Sequence, residues 1–337
     1  ANYYYILVNT FGGVPLMKEY VANAQTGYPK SAASDVYAYI IEELENVVAN
    51  GVLEKSTAQN GGGRASLESA RALLAKTYLA AAWDLDKKEY FSKAAQTADD
   101  VIAKRNLVTP FANLWRADYS GDDNEEFIWD VEYDYATATN TVSGGHPWSS
   151  FYCNHIGGQE DHGKGSTSAF IATLHALQCF EKGDVRYEVT FMKELPDIVT
   201  ASNYWYWDWY KNGETFIGIP LKRYYPAWYE TEEDIEAWKA LDPENRKNTW
   251  ILPMSDHTRD PQEYMPGEIN YEAFVTYSYG GSPCRKFDDS NTGSYSNKTD
   301  YRDIHIITLS EVYLIAAEAY FKAGNNENAL ARLNEVR

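Results

Sequence analysis

Residues 63–81 read GRASLESARALLAKTYLAA, and this stretch decides the fold class. From Ser66 onward, Ala70, Leu73, Leu74, Thr77, Tyr78 and Ala81 recur at three- and four-residue spacing. That period places them on one side of a helix. The Gly-rich run Gly61-Gly62-Gly63 precedes it as a loop. Working outward, the flanking segments repeat the pattern. Val36, Tyr37, Ile40, Ile41, Leu44, Val47 and Val48 form an apolar stripe, with Ser34 as the expected N-cap and Gly51 as the stop. A third stripe begins near Glu89 and carries Phe91, Ala94, Ala95, Ala98, Val101 and Ile102. Short loops between such helices favour antiparallel neighbours.

The far end returns to the same grammar. Ala317-x-x-Tyr320 followed by Ala329-x-x-x-Leu333 fits the spacing of a tetratricopeptide helix pair, and so does Ala75-x-x-Tyr78 with Ala94-x-x-x-Ala98. Small residues let paired helices approach while large ones fill the groove. Ala-rich helices in an ordinary bundle meet the same template, so both readings stay open on spacing alone. The middle, from about 110 to 305, holds most of the Trp and Pro, with few long periodic runs. Phe127 to Val131 is expected as a short strand and Ser166 to Phe180 as a helix. Another helix is expected at Thr231, with Asp234 three residues on and Ile235 and Trp238 inward. The rest reads as long loop, and loops of that length in a compact domain tend to be functional. The expected fold class is all-α, its helix pairs tetratricopeptide-like or an ordinary bundle, with a large loop-rich region and a few short strands. Its expected divisions are residues 1–120, 121–305 and 306–337.

Composition excludes several classes. With 30 Lys and Arg against 49 Asp and Glu, the net charge of −19 opposes binding to a phosphate backbone or to an anionic lipid surface. No apolar run is long enough to span a bilayer as a helix. Cys153, Cys179 and Cys284 are an odd, sparse set without a CxxC, which gives no disulfide framework and no zinc site. The chain opens at Ala1 on an apolar run, Tyr3 to Val8, and stops at Arg337 inside a helical pattern. It reads as a segment of a longer protein.

The unusual part of the composition is aromatic, with 28 Tyr and 10 Trp against 12 Phe. Tyr and Trp carry a polar handle and suit half-wet surfaces. The sharpest local feature is Tyr204-Trp205-Tyr206-Trp207-Asp208-Trp209-Tyr210. If extended, Trp205, Trp207 and Trp209 share one face at a spacing of about 6.6–6.8 Å. Flat rings match the CH faces of pyranoses, while Tyr204, Tyr206 and Asp208 offer hydrogen bonds to sugar hydroxyls. A core strand or a protein interface uses the same pattern. Trp148, in Gly144-Gly145-His146-Pro147-Trp148, is a second candidate; Trp228 and Tyr229 precede a helix and are weaker ones.

Catalytic signatures are poor. Asp130, Glu132 and Asp134 alternate on one strand face, the residue types of a glycosidase pair but also of a solvated strand edge. Gly158-x4-Gly163-Lys164 meets Gly165 where a phosphate loop needs Ser or Thr, and Glu160 and Asp161 repel phosphate. His146, His155 and His162 lack a ligand spacing. Asp288-Asp289-Ser290-Asn291 is oxygen-rich, yet Gly293 and the residues after it break the calcium-loop pattern. A bound Ca²⁺ is the single cofactor candidate, with a solvated turn as the default. The expectation is a binding protein, not an enzyme.

Taken in order, several segments resemble one family, the SusD/RagB outer-membrane glycan-uptake lipoproteins of Bacteroidetes-type bacteria. Phe11-Gly12-Gly13-Val14-Pro15-Leu16 resembles the family's FGxVPL turn. Ser34 to Leu44 and Gly63 to Tyr78 resemble its helices. Asn124-Glu125-Glu126-Phe127-Ile128 resembles its NxEIIF strand, and Gly183-Asp184-Val185-Arg186 its GDxR turn. Leu309 to Ala319 and Asn334 to Arg337 resemble its closing helices. Thr308-Leu309-Ser310 departs where the family usually has an Arg-Tyr pair. The resemblance implies a surface-exposed protein on the outer membrane, held by a lipid anchor outside this segment. It implies capture of oligosaccharides for a SusC-like TonB-dependent transporter. Peptide capture, or a purely scaffolding role on the same fold, is the alternative.

Overall fold

The computed structural model describes residues 1–23, 26–51, 53, 63–116, 119–133, 145–152, 170–196, 218, 220–254, 265–271, 280–289 and 300–337. The chain forms two compact units. The first comprises residues 1–109, 123–132 and 303–337; the second comprises 110–122 and 133–302.

The first unit is helical. Ser66 caps the helix Leu67–Asp84 through a reciprocal pair: the Ser69 N–H donates to Ser66 Oγ at 3.1 Å and the Ser66 N–H to Ser69 Oγ at 2.8 Å. This helix packs against Ala33–Asn50 on one side and Glu89–Ile102 on the other, and Glu89–Ile102 packs against Leu309–Lys322. The last helix of the chain, Asn326–Val336, pairs with Leu309–Lys322. Of the residues named by the tetratricopeptide spacing, Ala75, Tyr78, Ala94, Ala98, Ala317 and Ala329 are buried, whereas Leu333 is 39% exposed. The helix expected to have Ser34 as its N-cap starts instead at Ala33, behind an Ala32 that makes no side-chain cap, so Ser34 lies inside it. Gly51 ends it at φ 58°, as expected.

Phe127–Val131 is a strand, paired antiparallel with Ile304–Thr308, with Asp130 opposite His305. Upstream, the turn after the helix Asn2–Phe11 depends on two glycines. Gly12 sits at φ 68°, and a Cβ on Gly13 would lie 2.2 Å from the Ser31 carbonyl oxygen.

The second unit holds a small sheet and two apolar clusters. Glu194–Pro196 pairs antiparallel with Leu221–Tyr224, which pairs parallel with Trp250–Ile251. Helix Glu232–Leu241 carries the expected capping box, Thr231 with Asp234, and buries Ile235 and Trp238. Trp238 stacks on Tyr224 with ring centroids 3.9 Å apart and donates its indole N–H to Glu194 Oε1 at 2.8 Å. The helix expected over Ser166 to Phe180 is shorter. Residues 170–173 are not helical and a single turn, Leu174–Gln178, follows an N-cap at Thr173. Residues 166–169 lie outside the described residues.

Candidate functional site: an aromatic stack at Trp148

The site is built on a short helix, Trp148–Tyr152, that Pro147 opens. Proline fixes φ and has no N–H to leave unpaired at a helix start. Trp148 and Tyr152 are four residues apart and therefore share a helix face. Their rings stack, with centroids 5.5 Å apart and planes 13° off parallel. Phe287, at the end of the short 3₁₀ turn Arg285–Phe287, completes the stack. It lies 4.0 Å from Tyr152 and 5.8 Å from Trp148, at 18° and 20°. Phe170 joins the edge, 5.1 Å from Tyr152 and perpendicular to Phe151. Phe170 and Ile171 are 51% and 44% exposed, so the stack borders an open apolar surface.

Beneath the helix lies a polar knot. The N–H of His146 donates to the Asp300 carbonyl at 3.0 Å, and the Asp300 N–H donates back at 2.7 Å. Asp289 accepts from the Tyr119 hydroxyl and from the Tyr301 N–H, each at 2.5 Å. Arg302 faces Asp122 at 3.5 Å. Burial holds the His146 imidazole below its ordinary value, Asp289 and the Arg302 carbonyl working against that shift. Near Phe287, the Lys286 ammonium lies 4.6 Å from the Trp115 ring centroid and 5.1 Å from that of Phe111. Burial pushes its pKa down.

Of the sequence candidates, Trp148 is half-buried within this stack. Tyr204, Trp205, Tyr206, Trp207, Asp208 and Trp209 lie outside the described residues. Trp228 is 39% exposed, donates its indole N–H to the Phe180 carbonyl at 2.9 Å and meets Tyr229 edge-on. Two of the alternating carboxylates have structural partners. Asp130 is buried and 2.6 Å from His305 Nδ1, and Glu132 accepts the Gly63 N–H at 2.9 Å. Asp134 lies outside the described residues, as do Gly158 to Lys164, His155, His162 and Cys153. Cys179 and Cys284 are free thiols. Among the described residues, no cluster of three His, Cys, Asp or Glu side chains is arranged to hold a metal ion. Asp288 and Asp289 are buried rather than set in a solvated turn.

Sequence reading alone misses Tyr152, Phe170 and Phe287. The i, i+4 spacing of Trp148 and Tyr152 carries a signal for one of them. Phe287 comes from 135 residues further along than Tyr152, and nothing local announces it.

A family model described as the SusD family matches residues 125–337. No curated protein is similar enough in sequence to match the chain. Solved structures are similar over its full length. A SusD homolog from Bacteroides thetaiotaomicron matches 100% of this chain and 56% of its own, at TM-score 0.63 and 19% identity. A surface glycan-binding protein A from Bacteroides uniformis matches 100% and 56%, at TM-score 0.61 and 18% identity. A laminarin-binding SusD-like protein matches 100% and 60%, at TM-score 0.59 and 20% identity. The chain thus spans little more than half the length of these structures. The likeness extends to the fold: helix pairs of tetratricopeptide type with a few short strands.

Proposed function

The chain belongs to the SusD family, and on that premise we propose that it binds glycans at the outer surface of the cell, breaking no bond. The family match carries this reading. Structures of like fold named as glycan-binding and laminarin-binding support it. The chemistry at Trp148 is suited to the task. A ring held by stacking on two others presents its face at little entropic cost, and pyranose CH faces pack on such rings. Trp205, Trp207 and Trp209 are proposed as a second platform, with Tyr204, Tyr206 and Asp208 bonding sugar hydroxyls. The bound oligosaccharide passes to a SusC-like TonB-dependent transporter, and a lipid anchor outside this segment holds the protein on the membrane. Among the described residues no helix is long and apolar enough to cross a bilayer.

Paired carboxylates do not support hydrolysis, because Asp130 and Glu132 are committed to His305 and to the Gly63 N–H. The test is affinity for laminari-, xyloglucan- and malto-oligosaccharides in the wild type, in Trp148→Ala, and in a triple variant of Trp205, Trp207 and Trp209 to Ala. Loss of affinity in either variant supports the reading. Unchanged affinity in both removes the platforms.

A further inference from the structure

We propose that His146, as the neutral imidazole protonated on Nε2, is the positioning residue for Trp148: it caps the helix that carries the platform and releases it when a second proton binds. The inference rests on the reading of Trp148 as a glycan contact. Three observations carry it. The His146 ring is buried, 9% exposed, and both of its nitrogens have partners. Nε2 lies 2.8 Å from the Arg302 carbonyl, an atom that only accepts, so Nε2 must carry the proton. Nδ1 lies 3.2 Å from the backbone N–H of Trp148, a group that only donates, so Nδ1 must present its lone pair.

Trp148 is the first residue of its helix, and its N–H is one of the donors that a helix start leaves without an intrahelical acceptor. Pro147, between the two, supplies no N–H. His146 therefore does for Trp148 what an Asx turn does elsewhere, accepting from the N–H two residues ahead. The ring is fixed in turn by the two-way backbone bridge to Asp300 and by the edge of Tyr133, 4.7 Å away. A proton arriving on Nδ1 would set two donors against each other across 3.2 Å. The charged and titratable groups facing the ring are Asp289, Asp300, Arg302 and Tyr133. Asp289 favours the imidazolium, while burial and the Arg302 guanidinium oppose it. Opening thus belongs below the ordinary histidine range of about 6.5.

The experiment measures affinity for the tightest oligosaccharide of the panel as a function of pH, in wild type, His146→Asn, His146→Ala and Trp148→Ala. The wild type should hold its affinity at neutral pH and lose it below that range. His146→Ala should lose roughly fivefold or more at every pH, the scale of a lost cap. Asn keeps an acceptor for the N–H two residues ahead and has no proton to gain, so His146→Asn should bind near wild-type strength with a flat pH profile. If Trp148→Ala binds like wild type, both the platform reading and this inference fail. If Trp148→Ala is weakened while His146→Ala is not, and the wild-type profile is flat, the inference alone fails. Nitrogen chemical shifts of ¹⁵N-histidine-labelled wild type give a second readout that needs no foldable variant. A resonance absent from His146→Asn should report the Nε2–H tautomer at neutral pH, and the Nδ1–H tautomer there would overturn the proposal.

Discussion

The hydroxyl of Tyr320 lies 2.5 Å from Asp99 Oδ2, across the groove between helices Leu309–Lys322 and Glu89–Ile102. Asp99 also accepts from Arg332 Nε at 2.8 Å. Tyr37 with Asp84 and Tyr78 with Glu45 repeat the motif between other helices of the same unit. Each ring fills a groove and each hydroxyl ends on a carboxylate of a neighbouring helix. Tyr320→Phe keeps the packing and removes one such bond. It should cost about 1 kcal/mol of stability, read as a lower urea midpoint with an unchanged m-value.

Buried phenols of this unit also make stability fall at alkaline pH. Burial pushes Tyr5 and Tyr320 up to about 12, the latter with help from its bond to Asp99. In an unfolded chain a tyrosine titrates near 10. Between the two values the unfolded chain gives up protons that the folded one retains. Stability is complete below about pH 10 and falls as pH rises toward 12. Chemical denaturation at pH 9 and pH 11 should show the drop, with a smaller one in Tyr320→Phe.

Gly13→Ala places a Cβ 2.2 Å from the Ser31 carbonyl, an atom held by the turn in which the Ser31 N–H donates to Val14 at 3.1 Å. Backbone must move, and a loss of about 2 kcal/mol is expected, measured by thermal melting. An alanine that melts like wild type would mean that the turn opens freely.

Asp130 is paired with His305, whose ring also lies flat on Phe127 at 3.4 Å. Removing one partner of a buried hydrogen bond of this kind costs about 2 kcal/mol. Asp130→Ala should therefore melt earlier, while its folded form binds oligosaccharide as wild type does. Wild type incubated with those glycans should release no reducing ends. Appearance of reducing ends, abolished by Asp130→Ala, would contradict the non-catalytic reading.

The helices are legible where the period of 3.6 coincides with strong end signals. The start near Ser66 and the Thr231–Asp234 capping box are local signals, and both hold in the structure, which adds Ser69 as the partner of Ser66. Ser34 misleads because a good capping residue stands inside the helix, two positions past the actual N-cap, Ala32. Residues 170–180 mislead because their apolar spacing serves contacts with distant chain. Phe170 packs on Phe151 and Tyr152, and Leu177 on a cluster with Tyr187 and Leu252. The site follows the same division. Trp148 is visible as an aromatic in a Gly/Pro loop, and its stack on Phe287 is not, since long-range ring contacts leave no period in sequence. The use of His146 is equally hidden: its partners, the Arg302 carbonyl and the Trp148 N–H, are backbone groups that nearly every residue possesses.

The most direct test of the central claim is calorimetric titration of this protein with a panel of oligosaccharides and a matched panel of peptides, in wild type and Trp148→Ala. The account predicts saturable binding of at least one oligosaccharide, none of the peptides, and a loss of about 2 kcal/mol, roughly thirtyfold, in Trp148→Ala. Saturable binding of peptides with no oligosaccharide bound would contradict it.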